Sequence, residues 1–419
     1  MIARGLYGLL WYAATPLIKR YLKKRARRAP AYLEHWEERF RGDGPAASQG
    51  AIWIHAVSVG ETRAARPLVD ALRERWPDAP LLVTQMTPTG RAIAVELYGA
   101  QAAIRYLPYD HPRHVQDFLQ KWRPRFGVLM ETELWPNLVH AAHELDIPLF
   151  LANARLSDKS YRGYRRVGSL IRATLSELSG VAAQGVDDAE RLGRLGAHDP
   201  AVCGNTKYDF LPPADKLAQG AEFRRALGTR PVLVCASTRE GEEALILQAW
   251  RRRRPDGCLL VLVPRHPERF DAVAEQATAL GFELERRSRN CSPAASCDVW
   301  LGDSMGEMFA YYAAADLVFV GGSLLPLGGQ NLIEAASVGV PVLMGPSTFN
   351  FAEASARAFA AGAALQVEDA DAMVEAAEAL LRDEPRRRAM GAAAAAFCAA
   401  HRGASARIVA FIASRLDKA

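Results

Sequence analysis

The chain has 419 residues, half of them hydrophobic and 24% charged. That length exceeds the size at which one core stops growing, so two domains are expected, and the ordinary composition excludes a fibrous or wholly disordered chain. The formal net charge of +5 is concentrated in Lys19–Arg28, KRYLKKRARR, which points to local basicity and not to a nucleic-acid-binding face. The six cysteines, Cys203, Cys235, Cys258, Cys291, Cys297 and Cys398, form no C-x-x-C pair. They read as reduced, buried thiols of a cytoplasmic protein, and no zinc site is expected.

In chain order, Gly5–Ile18 is apolar and aromatic, contains Pro16, and runs straight into the basic stretch. It is shorter than the ~20 residues of a spanning helix, so residues 1–28 predict a monotopic or marginal anchor held by anionic headgroups; a core-docked first helix is the plain alternative. From residue 51, strand-like runs alternate with amphipathic stretches: AIWIHAV, PLLVTQM, AAIRYLP, FGVLME, IPLFLAN and VAAQ, each followed by a helical pattern. The runs are apolar without strict alternation, as strands covered on both faces must be, which predicts a parallel sheet wound by helices. The pattern pauses at Gly204–Lys216. It resumes with PVLVCAS, CLLVLVP, DVWLGD, DLVFVGG and VPVLMG, a second βα series. The predicted organisation is therefore an anchor over 1–28, a doubly wound domain over 29–208, another over 209–395, and a helical tail over 396–419.

Open parallel sheets bind ligands beyond the carboxyl ends of their strands, and with two of them the expected site is the crevice between domains. Chemistry-bearing residues do follow strands. Gly321–Glu334, GGSLLPLGGQNLIE, links a strand over 316–320 to a helix capped near Asn331. Strand, glycine loop and helix start together suit an anion, though a tight turn alone explains the same residues. Glu61 follows the first strand within Ser58-x-x-Glu61, which is also a capping box, as are Ser237-x-x-Glu240 and Ser304-x-x-Glu307. At a helix start Glu61 is expected to stay ionised and available as a base. Glu131 and Glu133 in METELWPN alternate on an extended segment and so share one face. Lys207, and Arg265 with His266, are cations placed after strands. The sequence has no G-x-x-x-x-G-K-[ST] loop, no G-x-G-x-x-G after the first strand and no Asp-x-Asp of the kind that often holds a metal and a nucleotide diphosphate, Asp369-Ala-Asp371 lying at the start of the alanine-rich helical end, which disfavours ATPase and dehydrogenase readings and leaves phosphate held by amides and cations without a metal.

Taken together, HAVSVGE, METELWPN, NARLSDKSY, GNTKYD, ASTREGEE, VPRHPERF, DSMGEM and GGSLLPLGGQNLIEAASVGVPVLMGPSTFNF resemble the Kdo (3-deoxy-D-manno-octulosonic acid) transferases of lipopolysaccharide synthesis. The resemblance covers nearly the whole chain and rests on the number and order of motifs. It implies an α/β fold of GT-B architecture, two Rossmann-like domains at the cytoplasmic face of the inner membrane, and transfer of Kdo from CMP-Kdo to a lipid A precursor, with CMP-Kdo as substrate and no cofactor or metal. By matching position it implies Glu61 as general base and Glu131 and Lys207 as stabilisers of the transition state. CMP contacts fall on Pro264, Arg265, His266, Met305, Gly306, Glu307, Asn331, Leu332, Ile333 and Glu334. Arg239, Gln330 and Ser347 stand where the family commonly has histidine.

The acceptor is an alcohol that needs a base, while the leaving group is already a stable anion, so a single inverting displacement is expected. Two other readings fit the residues: another GT-B glycosyltransferase using a UDP-sugar and a membrane lipid acceptor, and a non-catalytic membrane-surface binding protein.

Overall fold

A computed structural model describes residues 2–41, 49–289 and 292–417. The chain divides into two units, Met1–Asp209 with Arg402–Ala419, and Phe210–His401.

In the first unit the strands are β1 (Ile52–His55), β2 (Leu81–Gln85), β3 (Ala102–Tyr106), β4 (Phe126–Met130), β5 (Leu149–Ala154), β6 (Gly180–Ala183) and β7 (Ala201–Val202). They pair in the order β3-β2-β1-β4-β5-β6-β7, all parallel. Alternate residues of each strand serve opposite faces, which is why the strands read as unbroken apolar runs. Trp53 packs with Phe118, Leu129 and Leu151 on one face. Its neighbours Ile52 and Ile54 pack with Leu68, Val128 and Phe150 on the other. Gly127 makes room for this: a Cβ there would sit 2.5 Å from the Trp53 ring.

In the second unit the strands are β8 (Val232–Thr238), β9 (Leu259–Pro264), β10 (Leu284–Arg286), β11 (Val299–Leu301), β12 (Leu317–Val320), β13 (Val342–Met344) and β14 (Ala364–Gln366). Their order is β10-β11-β9-β8-β12-β13-β14, again all parallel. The two-domain doubly wound architecture expected from the sequence is thus present. β10 and β14 lie at the sheet edges and are partly exposed; short half-buried strands of this kind carry too little apolar signal to stand out in the sequence.

The sequence-based boundaries need two corrections. The stretch read as a pause up to Lys216 already contains the start of a helix, Ala214–Leu227. It packs so closely on the helix Met308–Ala314 that a Cβ at Gly220 would lie 2.5 Å from Ala313. The tail expected over 396–419 is also not one element. The helix Glu384–His401 belongs to the second unit, whereas Ala404–Leu416 returns to the first. There Ile408, Val409 and Ile412 join the core of Ile52, Ile54 and Phe150. Asp209 fastens the start of this helix by accepting hydrogen bonds from the N–H groups of Gly403 (2.6 Å), Ala404 (3.1 Å) and Ser405 (2.5 Å).

The apolar and basic N-terminal stretches form one helix, Ile2–Ala26, with Pro16 inside it. One face docks on the first unit: Trp11 against Tyr109, Tyr12 against His111, and Gly8 against Pro112. Ile2, Leu6, Leu9, Leu10, Leu17 and Tyr21 remain exposed, Ile2 at 91% and Leu17 at 69%. Among the described residues no helix is long and apolar enough to cross a membrane. Cys203, Cys235, Cys258, Cys297 and Cys398 are buried and form no disulfide with one another; Cys291 lies outside the described residues.

Candidate active site

Strand order locates the crevices. In each sheet the direction of winding reverses once, between β1 and β4 in the first unit and between β8 and β12 in the second. Loops that leave such neighbouring strands on opposite faces open a crevice at their carboxyl ends. Glu61 follows β1 and Glu131 and Glu133 follow β4, so all three carboxylates meet at the first switch point. Arg239 follows β8 and Gly321–Asn331 follows β12, at the second.

The capping box at Ser58 is formed. Ser58 caps the helix Val59–Ala64, accepting a hydrogen bond from the Glu61 N–H at 3.3 Å. In return the Glu61 carboxylate accepts from the Val57 N–H at 2.7 Å and from the Ser58 hydroxyl at 3.0 Å. The capping geometry fixes the carboxylate without exhausting its lone pairs. The surroundings of Glu61 shift its ionisation from that of an ordinary helix-start carboxylate. Burial, opposed by the Val57 N–H and reinforced by the charges of Glu131 and Glu133, pushes its pKa up to about 7.

Glu131 and Glu133 do not continue the strand as an extended pair. Glu131 turns into the left-handed region with φ +59°, and the two side chains part. Glu131 meets the Lys207 ammonium at 3.4 Å, while Glu133 accepts the indole N–H of Trp135 at 2.7 Å. Burial raises the Glu133 pKa, with a further contribution from Glu131. Lys207 is placed by a chain of amides: its N–H bonds Asn205 Oδ1, Asn205 Nδ2 donates to Gln184, and the neighbouring Thr206 N–H bonds Asn153 Oδ1. Asn153 is fully buried and left-handed at φ +53°. His55 also lies beneath the site, fully buried, edge-on to Trp135 and neutral, burial holding its pKa down to about 3.

In the second unit the glycine loop is held by a residue the sequence reading passed over. Glu242 is fully buried. Its carboxylate accepts from the N–H groups of Gly322 (2.6 Å), Leu324 (2.9 Å) and Arg239 (2.9 Å). The signal was present as the double carboxylate Glu242-Glu243 opening a helix, but the Ser237-x-x-Glu240 spacing drew attention to the wrong glutamate. Ser237 is left-handed and caps nothing, and Glu240 is exposed.

Gly322, Gly328 and Gly329 all take positive φ, at +69°, +90° and +74°, a conformation that costs L side chains energy and glycine little. Asn331 is the N-cap, accepting from the Ile333 N–H at 3.1 Å, and its amide donates to Glu334 at 3.1 Å. The helix that follows, Leu332–Ser337, has only six residues, and one of its first amides is already taken by Asn331. Its pull on an anion is correspondingly smaller than a long helix would give.

Arg239, Gln330 and Ser347 converge on this same loop. A Cβ at Gly322 would lie 3.1 Å from Gln330 Nε2 and 3.6 Å from Arg239 Cγ, and Ser347 Oγ accepts from the Gly328 N–H at 2.9 Å.

Arg265 and His266 follow β9, the neighbour of β8, with Arg265 exposed. Met305 is 61% exposed and Gly306 left-handed. Glu307 bonds Arg287 at 3.0 Å and also pairs with Gln219 and Ser304. These partners outweigh its burial and hold its carboxyl below the usual range. The box at Ser304-x-x-Glu307 is not made, because Glu307 itself stands at the N-cap of Met308–Ala314. Among the described residues no cluster of histidine, cysteine and carboxylate side chains is arranged to hold a metal.

Comparison with known proteins assigns the chain. Residues 34–210 match the family described as 3-deoxy-D-manno-octulosonic-acid transferase, and residues 279–397 match glycosyl transferases group 1. A 3-deoxy-D-manno-octulosonic acid transferase of Bordetella pertussis is 45% identical over 97% of this chain and 98% of its own. The chain belongs to the Kdo transferase family. A second relative of that name, from Haemophilus influenzae, is 36% identical and covers 99% of both chains. A UDP-GlcNAc 2-epimerase from Neisseria meningitidis shares the fold, with a TM-score of 0.59 at 15% identity over 88% of this chain and 100% of its own. The protein is therefore an enzyme, a glycosyltransferase that moves Kdo.

Proposed function

We propose that this transferase moves Kdo from CMP-Kdo to a lipid A precursor of the lipid IVA type in lipopolysaccharide synthesis, by a single inverting displacement in which Glu61 is the general base. One observation carries the reading. Three carboxylates and a lysine gather at the switch point of the first sheet, and burial with like charge brings Glu61 to about 7. A carboxylate with a pKa near the working pH is both sufficiently deprotonated and sufficiently basic to take a proton from an alcohol. Its fixed seat in the capping box removes the need to order the base during reaction. Glu131 and Lys207, neutralising one another in the resting enzyme, can respond to charge that develops on the sugar and the departing phosphate.

The second unit supplies the nucleotide side of this reading. The Gly321–Asn331 loop turns through left-handed glycines at the second switch point, but the N–H groups of Gly321, Gly322, Leu324, Gly328, Gly329 and Gln330 already bond within the protein, so in this reading the loop shapes the site and the nearby cations Arg265 and His266 meet the phosphate. Pro264, Arg265 and His266 with Met305, Gly306 and Glu307 stand on flanking loops, and Asn331, Leu332, Ile333 and Glu334 follow the glycines. No cofactor is required, since CMP leaves as a stable anion.

The N-terminal helix fits a lipid acceptor. Its outward residues Leu6, Leu9, Leu10, Leu17 and Tyr21 make an apolar stripe that water does not favour, and the basic run ends the same helix. A helix lying on an anionic membrane surface would place the first unit, with Glu61, beside the acceptor, at the cytoplasmic face of the inner membrane.

The decisive experiment is mass spectrometry of the lipid formed from CMP-Kdo and a lipid A precursor, with CMP release followed in parallel. A product heavier by Kdo supports the reading. Release of nucleotide from UDP-sugars alone, or no product with either donor, overturns it.

A further inference from the structure

A second concave site lies in the first unit, beside the N-terminal helix. It is a cavity of about 530 Å³ lined by Tyr12 of that helix, Arg41, and His111, Arg113, His114, Asp117 and Lys121 at and along the helix Pro112–Trp122. None of these residues belongs to the Glu61 site.

Its lining is mainly cationic and imidazole. Arg41, Arg113 and Lys121 face one carboxylate, Asp117, and Lys19 of the first helix adds its charge to the two imidazoles. Arg41 shares its charge with Glu37 at 3.2 Å in an exposed pair. His111 is 6% exposed, yet its Nδ1 has no hydrogen-bond partner among the described residues, and the same holds for Nδ1 of His114. A buried polar nitrogen without a partner is costly, and such groups call for an unseen one. The two rings stack at 4.1 Å and 24°, with Tyr12 edge-on to His111 at 4.2 Å. Burial and the surrounding cations Lys19, Arg41 and Arg113 keep both imidazoles below their ordinary pKa, His114 at about 4. His111 is also the N-cap of the eleven-residue helix Pro112–Trp122, and its side chain makes no capping bond.

We infer that this pocket binds a phosphomonoester, held by Arg113, Lys121 and Arg41 and by hydrogen bonds from the stacked His111 and His114. An arginine fork matches a phosphate edge, and a phosphomonoester, whose second pKa is about 6, shares protons readily with imidazole. A dianion entering here would raise both histidines, so binding takes up protons. The volume exceeds that of a bare phosphate and admits a headgroup with it. The exposed apolar stripe on the helix that supplies Tyr12 points to a phosphate carried by a lipid. That choice of source rests on the lipid-acceptor reading given above; the anion site itself does not.

The test uses the full-length protein and the double variant Arg113→Gln/Lys121→Gln, both side chains being outside the hydrophobic cores, with melting temperature confirming that the variant folds. Calorimetric titration with inorganic phosphate in buffers of different ionisation heat should show binding with proton uptake, weakened about tenfold or more in the variant. Co-sedimentation with phosphatidylcholine vesicles carrying either phosphatidic acid or, at matched charge, phosphatidylglycerol should favour phosphatidic acid, and the variant should lose that preference. Phosphate binding that is absent, or equal in the variant, overturns the site. Phosphate binding with no preference for phosphatidic acid overturns the lipid source and leaves a site for free phosphate. Neither arm depends on turnover, so a failure of the proposed transfer reaction is read separately, from the absence of CMP release by wild type.

Discussion

Glu61 shows how one residue serves a helix and a reaction at once. The capping box was legible as Ser58-x-x-Glu61, and by itself it suggested an ionised carboxylate at a helix start. What it could not show was burial and the approach of Glu131 and Glu133 from the far side of the switch point, which together lift the pKa to about 7. Two consequences follow for Glu61→Gln, which keeps the shape and the bond from Val57. Turnover should fall by about 10²–10⁴-fold with donor binding retained, and the rise of wild-type rate with pH through about 7 should vanish. Stability should move the other way. The folded state holds a proton that the unfolded chain releases above its ordinary value near 4.5, so wild-type stability declines as pH rises from about 4.5 through about 7. Above that window Glu61→Gln should be the more stable protein, by on the order of 1–2 kcal/mol after allowance for partial solvent exposure. Urea unfolding at low and high pH checks the sign.

At the scale of elements, the glycine loop and the N-terminal helix were recognised from the sequence for sound reasons, but their supports were not. Asn331 caps the helix as its position suggested. Yet the loop owes its shape to Glu242, distant in sequence, whose carboxylate gathers three backbone N–H groups. Glu242→Ala should leave those amides unpaired and destabilise the second unit by roughly 3–5 kcal/mol, with loss of CMP binding by calorimetry. The N-terminal helix divides its faces: Trp11 packs on Tyr109 and the partly covered Tyr12 on His111, whereas Leu9 and Leu10 are 65% and 60% exposed. Leu9→Glu/Leu10→Glu should accordingly leave the melting temperature unchanged within about 0.5 kcal/mol of stability while greatly reducing partition to anionic vesicles. Unchanged partition would remove the membrane role of this stripe.

For the molecule as a whole, the path of the chain matters as much as its elements. The last helix leaves the second unit and completes the core of the first, with Ile408 and Ile412 fully buried and Val409 nearly so. A chain ending at His401 should therefore cripple the unit farther away in sequence. Each lost aliphatic side chain removes roughly 1.5–3 kcal/mol, enough together to consume most of a domain's margin of about 5–15 kcal/mol. Calorimetry should show the first unit melting early or not folding, with residues 210–401 little changed. Asp209 fixes the start of the returning helix, since its carboxylate accepts from the N–H groups of the N-cap Gly403 and of Ala404 and Ser405.

The amino-acid sequence by itself determined two parallel sheets and the placing of Glu61, Glu131, Lys207 and Gly321–Glu334 after strands. Those properties are written in local periodicity and in the residues that end strands and start helices. Tertiary structure alone decided which strands became neighbours, and hence that the β1 and β4 loops meet at one crevice. It also decided that burial and neighbouring carboxylates raise the Glu61 pKa, that Glu242 rather than Glu240 organises the glycine loop, that the final helix belongs to the first unit, and that His111 and His114 stack in a cationic pocket. Each of these depends on burial and on charges brought close from distant positions, and neither quantity exists until the chain has folded.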